Sequence, residues 1–140
     1  MSPSDPRSRI VLHMNWHAQA LPILLNGLPS ITTATDTTDY TSLPLPSAAQ
    51  ISSISPLAHV EDGSYRTPTY LVHGTQDDLI PWQQSQGFVQ ALQGRGVKAG
   101  FGKGEGKVHL FDLYRDRDGS GWESVRTGFE WVFGVVGSVG

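Results

Sequence analysis

Two short segments of the chain contain the side chains that general acid–base catalysis requires. Residues 73–81, of sequence HGTQDDLIP, place Asp77 and its neighbour Asp78 directly after a short β-branched and aromatic run. Residues 104–111, of sequence GEGKVHLF, place His109 in a glycine-rich loop. A carboxylate that accepts one imidazole N–H fixes the tautomer of the ring, while the other ring nitrogen takes a proton from a nucleophile or water. The two segments therefore predict acyl-transfer or hydrolytic chemistry.

The residues around these segments have the pattern of a parallel βαβ unit followed by a closing helix. A strand, a helix, a second strand and a last helix are predicted at 69–72, 81–92, 97–101 and 120–136. Open α/β sheets place their working groups at the carboxyl ends of strands, and neighbouring strands lie about 4.8 Å apart. Asp77 and His109 are therefore expected to meet at one edge of a parallel sheet. Two strands form a poor sheet alone, so further strands are expected beside them.

The N-terminal part of the chain has the pattern of a helical segment followed by a long polar loop. Pro22 is expected to end or kink the first helix, and Gly27 is expected to cap it. Residues 31–46 are rich in Thr, Ser, Asp and Pro, which predicts a mobile loop. Residues 47–50 have capping-box spacing and predict a short helix that residues 55–56 would close.

Taken together, the two chemical segments resemble parts of one known family, the α/β-hydrolases. Residues 73–81 resemble the strand and turn that deliver that family's triad acid, which falls on Asp77. Residues 106–111 resemble its histidine loop, with the histidine at His109, and the order of acid before histidine is the family order. The resemblance covers 55–137. It implies an α/β fold formed by the last two parallel strands of an α/β-hydrolase with their helices, in which Asp77 orients His109 as general base.

Shorter motifs resemble a narrower group, the fungal esterase-like hydrolases, which include thioesterase-like domains at the C-termini of some non-reducing polyketide synthases. These motifs lie at 55–60, 65–68, 82–84 and 109–112. The resemblance implies an acyl ester or thioester substrate, with a polyketide-derived acyl group as one candidate. In that group the segment like 16–29 belongs to a lid. The domain prediction is therefore a helical lid-like segment with a flexible loop at 1–54 and a C-terminal α/β-hydrolase subdomain at 55–140.

The sequence departs from the family at the nucleophile. The family carries it in a Gly-x-Ser-x-Gly elbow, and the chain has no such pentapeptide; its nearest match, VGSVG at 136–140, begins with Val. Two hypotheses follow. In one, the chain is a hydrolase fragment whose serine comes from a longer native protein or from a partner, either a complementary hydrolase half or a homologous chain. In the other, it is a catalytically silent truncated relative that binds a ligand or pairs with a full-length protein. A gene model that begins too late would explain the same departure.

Alternative roles exist for the residues singled out. Asp78 is the rival of Asp77 for the acid position, and either carboxylate could instead cap the helix that follows. His109 could be a structural histidine. His73, at the end of a strand, is expected to pack or to form hydrogen bonds rather than to react.

Two further patterns resemble cofactor-binding motifs, but each lacks a residue that the motif requires. His13 and His17 have metal-ligand spacing, but Met14 stands where a catalytic Glu would be needed and no third ligand is evident. The glycine-rich stretch 100–107 is not a phosphate loop, because Val108 follows the lysine where Ser or Thr is required. No metal and no cofactor are predicted.

The composition excludes several classes of protein. The chain has 140 residues, enough for one modest domain, and it has no cysteine for a disulfide, a thiolate zinc site or a thiol nucleophile. A net charge of −3 provides no basic surface for nucleic acid or for a membrane. Polar residues interrupt the apolar stretch at 10–28, and no secretion signal is evident. The expected location is the cytoplasm.

Overall fold

A computed structural model of the chain describes Pro6, Ile10 and Met14, all helical, and residues 18–27, 43–113 and 122–138. The chain divides into two units, Met1–Ser55 and Pro56–Gly140. Most of the loop predicted at 31–46, and the start of the helix predicted at 120, lie outside the described residues.

The first unit contains two short described helices, α1 (Ala20–Asn26) and α2 (Ala48–Ile54). The prediction that Pro22 ends or kinks a helix is wrong, because Pro22 lies in the first turn of α1, where a proline removes no intrahelical hydrogen bond. The prediction for Gly27 is confirmed. Gly27 ends α1 with a φ of 79°, and its N–H donates to the carbonyl of Ile23.

The capping box predicted for α2 is also confirmed. The Ser47 hydroxyl accepts from the backbone N–H of Gln50 at 3.2 Å, and the Gln50 side chain accepts from the backbone N–H of Ser47 at 2.9 Å. These two bonds satisfy orphan amides at the helix start, which explains why so short a helix forms at this point. The Gln50 amide also donates to Asn26 at the end of α1.

The second unit contains the parallel sheet. Its elements, in order, are α3 (Pro56–Glu61), β1 (Thr69–Gly74), α4 (Trp82–Gly94), β2 (Ala99–Gly104), a 3₁₀ turn (Phe111–Leu113) and α5 (Trp122–Val136). β1 and β2 pair in parallel, from Thr69 opposite Ala99 to Gly74 opposite Gly104. The fold class is therefore α/β, as predicted, with a strand, helix, strand and helix in the expected order.

Each face of the sheet is covered by one helix. On one face, the rings of Trp82 in α4 and Phe101 in β2 stack with centroids 6.4 Å apart. On the other face, Tyr70 in β1 lies against Trp131 in α5, with centroids 5.6 Å apart. Because successive strand residues alternate between faces, Leu71 and His73 share the α4 side. This arrangement is the one that a parallel sheet requires.

Glycines in β2 allow α5 and Tyr70 to approach the sheet. A Cβ on Gly100 would lie 2.5 Å from the Tyr70 ring, and one on Gly102 would lie 3.0 Å from the carbonyl of Ser124 in α5. Strand β2 consequently runs over Ala99–Gly104, whereas the sequence predicted 97–101. That prediction was wrong because glycine has a low intrinsic β-propensity, whereas in this strand the Tyr70 ring leaves room only for a residue without a Cβ. β1 also extends two residues beyond the predicted 69–72.

Helix α3 was not predicted, although it forms part of the core. It begins at a proline and has six residues, of which only Val60 is buried. Val60 and Leu92 are both 0% exposed and pack with Val97. One buried position in six residues gives no helical period to detect.

The apolar face of α5 is largely open to solvent. Four of its large side chains are exposed, namely Phe129 (58%), Val132 (44%), Phe133 (73%) and Val136 (67%). The helix instead meets the sheet through the side that carries Gly128 and Trp131. None of the helices in the described part of the chain is long and apolar enough to cross a membrane.

Candidate active site

The turn after β1 holds Asp77 by its own backbone. Oδ1 of Asp77 accepts hydrogen bonds from the backbone N–H groups of Leu79 and Ile80, each at 2.9 Å. An aspartate that bonds the amides two and three residues ahead forms a compact local turn, which is the reason this residue type suits the position. The side chain is only 6% exposed. One carboxylate oxygen is therefore held by backbone amides alone, without a contribution from another side chain.

The loop that carries His109 is joined to the same turn by backbone hydrogen bonds. The N–H of Thr75 donates to the carbonyl of Gly104, and the N–H of Gln76 donates to the carbonyl of Lys107, both at 2.9 Å. The N–H of Gly106 donates to the Thr75 hydroxyl at 2.8 Å. The glycine-rich stretch thus serves to connect the two loops.

Gly74 makes this connection sterically possible. A Cβ at Gly74 would lie 2.2 Å from the carbonyl oxygen of Lys107 and 3.0 Å from that of Val108. Both are backbone atoms, which cannot turn aside as the end of a flexible side chain could. The glycine of the His-Gly pair at 73–74 is therefore required by the close approach of the histidine loop.

Asp77 and His109 form a direct hydrogen bond. Nδ1 of His109 lies 2.8 Å from Oδ2 of Asp77, and the histidine side chain is 29% exposed. A carboxylate only accepts hydrogen bonds, so the geometry assigns the proton to Nδ1. In the neutral ring Nε2 is then the nitrogen without a proton, able to take one from another group. The structure brings together the two residues that the sequence singled out for catalysis.

Asp78 takes no part in this arrangement. It is exposed, whereas the bonds to His109 and to the two backbone amides all come from Asp77. The alternative that one of these aspartates caps the following helix is wrong, since α4 has Pro81 at its N-cap and no described side chain caps it.

His73 also contacts the carboxylate, a role that the sequence did not reveal. Its Nε2 lies 3.0 Å from Oδ2 of Asp77 and 3.0 Å from the carbonyl oxygen of Ile80, and its Nδ1 lies 2.7 Å from the Ser85 hydroxyl. The expectation that His73 forms hydrogen bonds is confirmed. The only sequence signal for its partner was its position at the end of a strand, four residues before the acid.

The Asp77 carboxyl is ionised at neutral pH. Burial raises its pKa, but the hydrogen bond from His109 and those from the backbone amides of Ile80 and Leu79 outweigh that effect. The net result is a pKa well below the usual range of an aspartate. An ionised carboxylate is the form that orients an imidazole and stabilises the imidazolium.

The low pKa of Asp77 predicts a loss of stability in acid. An aspartate whose pKa is lower in the folded state stabilises the fold above its ordinary pKa of 3.8, and this contribution is lost as the pH falls below that value. We therefore expect the unfolding midpoint in urea to fall between pH 5 and about pH 3 more steeply for the wild type than for Asp77→Asn. Asp78→Asn, which removes a neighbouring exposed carboxylate, should follow the wild type. Parallel curves for all three proteins would contradict the assignment.

The pair lies in a small cleft with apolar walls. The cleft measures about 180 Å³. Its apolar lining includes Ile80, Val108, Leu110 and Phe111. Leu110, directly after His109, has a φ of 57°, which is uncommon for a residue with a branched side chain and fixes a sharp turn at the histidine. The site can therefore hold a proton-transfer pair beside an apolar group.

The serine of the elbow-like sequence is not among the described residues that line this cleft. Ser138, the serine of the elbow-like sequence, donates from its hydroxyl to the carbonyl of Val135 at the end of α5. His13 and His17 lie outside the described residues. Within the described ranges, no group of three His, Asp, Glu or Cys side chains could hold a metal ion.

The family comparison agrees with the geometry. The prolyl oligopeptidase family, whose members have the α/β-hydrolase fold, matches residues 28–137. The chain belongs to this family. The resemblance to α/β-hydrolases seen in the sequence is thereby confirmed, and the pair of Asp77 and His109 lies within the matched range. No solved structure matches the chain.

The most similar curated relatives include several large fungal synthases. The chain is 50% identical over 134 residues to a non-reducing polyketide synthase of Emericella nidulans, and 49% identical over 138 residues to the 5-methylorsellinic acid synthase of Aspergillus terreus. It is 40% identical over 137 residues to the methylphloroacetophenone synthase of Cladonia uncialis. About 95% of the chain is aligned in each case, but it spans only about 5% of the length of these relatives.

Proposed function

We propose that this chain supplies the acid and the general base of an ester- or thioester-hydrolysing site. Asp77 orients His109, and Nε2 of His109 takes the proton of the nucleophile. The observation that supports this function is the 2.8 Å hydrogen bond between His109 Nδ1 and Asp77 Oδ2, which leaves Nε2 unprotonated in a partly open cleft. An activated nucleophile with its base oriented by a third group is the general arrangement for acyl transfer.

The reaction would proceed through an acyl-enzyme. A serine hydroxyl gives its proton to Nε2 of His109 as its oxygen bonds to the carbonyl carbon of the substrate. The resulting imidazolium then returns the proton to the departing alcohol or thiol. Water repeats the sequence and releases the acid. Because the sequence contains no Gly-x-Ser-x-Gly elbow, the serine and the oxyanion donors would come from polypeptide outside these 140 residues.

The relatives support an acyl group of polyketide origin as the substrate. Two of them are synthases of 5-methylorsellinic acid and methylphloroacetophenone, and the apolar lining of the cleft suits the carbon skeleton of such an acyl group. The proposed substrate class is therefore an acyl ester or thioester with an apolar or aromatic acyl part.

A chimeric synthase tests this function. The chain replaces the matching 138 residues of the 5-methylorsellinic acid synthase, and product release is measured in parent, chimera and variants. We expect the chimera to be active and His109→Ala to lower its turnover by at least about 10³-fold, since loss of a triad member removes most of the catalysis that a serine hydrolase provides. His59→Ala, at a partly exposed histidine of α3, is the matched control and should leave turnover unchanged. A chimera that is active and insensitive to His109→Ala would contradict the proposal.

Hydrolysis of a short-chain p-nitrophenyl ester by the isolated chain locates the nucleophile. We expect the isolated chain to be no faster than its His109→Ala variant, because the proposed serine lies outside it. Turnover that the variant loses would instead mean that the pair activates water directly.

The exposed face of α5 supports a second candidate, a catalytically silent module that pairs with a complementary hydrolase half or a homologous chain. Phe129, Phe133 and Val136 are each more than half exposed, and among the described residues β1 pairs only with β2. Exposed apolar faces and free strand edges are common at interfaces. This candidate predicts a chimera that assembles but whose turnover does not depend on His109.

A further inference from the structure

His73 connects the acid of the site to the neighbouring helix. It lies near the end of β1, its side chain is 11% exposed, and both of its ring nitrogens are within hydrogen-bonding distance of polar atoms. Nε2 lies 3.0 Å from Oδ2 of Asp77 and 3.0 Å from the carbonyl oxygen of Ile80. Nδ1 lies 2.7 Å from the hydroxyl of Ser85 in α4. One ring therefore contacts the acid, the backbone of the acid loop and the covering helix.

The partners of His73 determine which nitrogen carries its proton. The Asp77 carboxylate and the Ile80 carbonyl can only accept hydrogen bonds, so Nε2 must donate. In the neutral ring Nδ1 is then an acceptor, and the Ser85 hydroxyl donates to it. Asp77 and Ile80 thus fix the tautomer in which His73 points its N–H at the acid, and Ser85 satisfies the other nitrogen and holds the ring.

The carboxylate of Asp77 has its full set of donors only when His73 is present. The two backbone amides hold Oδ1, and the carboxylate could still pivot about that oxygen. Oδ2 accepts from His73 and from His109, at 3.0 and 2.8 Å. With one lone-pair direction of Oδ2 taken by His73, the other is left for His109, which sets the direction from which the His109 ring must approach.

We propose that His73, whose ring is held by Ser85, is a positioning residue that fixes Oδ2 of Asp77 for His109; its catalytic meaning rests on the function proposed above. His73 touches no reacting atom. It acts through the carboxylate, by keeping the His109 ring where its Nε2 can reach a nucleophile. Small displacements of a catalytic group are costly, because about 1 Å is enough to reduce a rate by about 10²-fold.

Nitrogen-15 NMR of the imidazole rings in the isolated 140-residue chain tests the proposal without any turnover. At neutral pH we expect His109 to carry its proton on Nδ1 and His73 to carry its proton on Nε2. His73→Leu should abolish or broaden the His109 Nδ1–H signal through faster exchange with water. His73→Gln, whose amide N–H₂ lies at a reach similar to that of Nε2, should restore it. The ring of His59 in α3, which contacts the Ser64 hydroxyl, provides an internal reference that should not change.

Ser85→Ala tests the same arrangement with a smaller change. We expect His73 to keep its proton on Nε2, because Asp77 and Ile80 can only accept, but to lose the bond that holds its ring; the His109 Nδ1–H signal should therefore weaken, while circular dichroism remains that of the wild type. This variant decides the matter if His73→Leu fails to fold. An unchanged His109 Nδ1–H signal in a folded Ser85→Ala, or in a folded His73→Leu, would overturn the proposal.

Turnover of the chimera separates positioning from catalysis. We expect His73→Leu to lower it by about 10²-fold and His73→Gln to recover most of the loss. If the NMR signals respond as expected but His109→Ala leaves turnover intact, His73 still positions the pair and the proposed catalytic function fails. If His109→Ala abolishes turnover while the His109 Nδ1–H signal is unchanged in His73→Leu, the proposed function stands and the positioning role fails.

Discussion

Asp77→Asn is expected to lower the turnover of the chimera by about 10⁴-fold while leaving its fold intact. The amide oxygen of the new side chain must occupy the place of Oδ1, because the backbone amides of Leu79 and Ile80 point at that position. The amide N–H₂ is then forced into the place of Oδ2, where it faces the N–H groups of both His73 and His109.

The donor-to-donor contact with His109 is relieved when His109 moves its proton from Nδ1 to Nε2, and the contact with His73 is relieved when His73 moves its proton from Nε2 to Nδ1. The nitrogen that should accept the proton of the nucleophile is then already protonated, and general base catalysis stops. Turnover of the chimera measures the loss of catalysis, and nitrogen-15 NMR of the isolated chain shows which nitrogen of His109 carries the proton. Asp78→Asn removes the same charge one residue away and should leave both unchanged. If Asp78→Asn were as damaging as Asp77→Asn, the acid would have been assigned to the wrong residue.

Gly74→Ala is also expected to have a large effect, and it acts on the loops rather than on the chemistry. The added Cβ would lie 2.2 Å from the carbonyl oxygen of Lys107, so the histidine loop must move away from β1. This movement would break the bond between Gln76 and Lys107 and shift His109 relative to Asp77. We expect turnover of the chimera to fall by about 10²-fold or more and the chain to lose about 1–3 kcal/mol of stability, as is usual for overpacking.

Gly87→Ala is the matched control for Gly74→Ala. Gly87 lies within α4, and no described heavy atom lies within 4 Å of its would-be Cβ. Alanine should therefore stabilise the helix by about 0.5–1 kcal/mol and leave turnover unchanged. Urea unfolding and chimera turnover measure both variants. A Gly74→Ala protein as stable and as active as the wild type would show that the two loops can separate without consequence.

The parts of the site that the sequence revealed are those whose geometry is local. The turn at 73–81 and the histidine loop at 104–111 each follow a strand, and parallel strands bring such loops to one edge whatever surrounds them. The capping box at 47–50 was predictable for a similar reason, since four consecutive residues satisfy one another.

The parts that the sequence did not reveal depend on contacts between distant elements. The bonds of His73 could not be foreseen because the sequence does not say which face of β1 is covered by the helix that carries Ser85. The extent of β2 was misjudged because its glycines suit the Tyr70 ring and α5, which intrinsic propensity ignores. In both cases the deciding partner lies outside the local window that periodicity examines.

The hydrogen bonds between the acid loop and the histidine loop have a consequence for assembly. Thr75 bonds to Gly104, Gln76 bonds to Lys107 and Gly106 bonds to Thr75, so the two loops are tied at several points besides the Asp77 and His109 contact. The acid and the base are consequently held in one arrangement by the backbone that carries them. A segment that delivers a nucleophile then has to find one orientation relative to a single object, instead of aligning three separate groups. Folding of this unit already orders the acid and the base, which are two of the three groups of the site. The entropic cost of completing the site by association is lower for that reason.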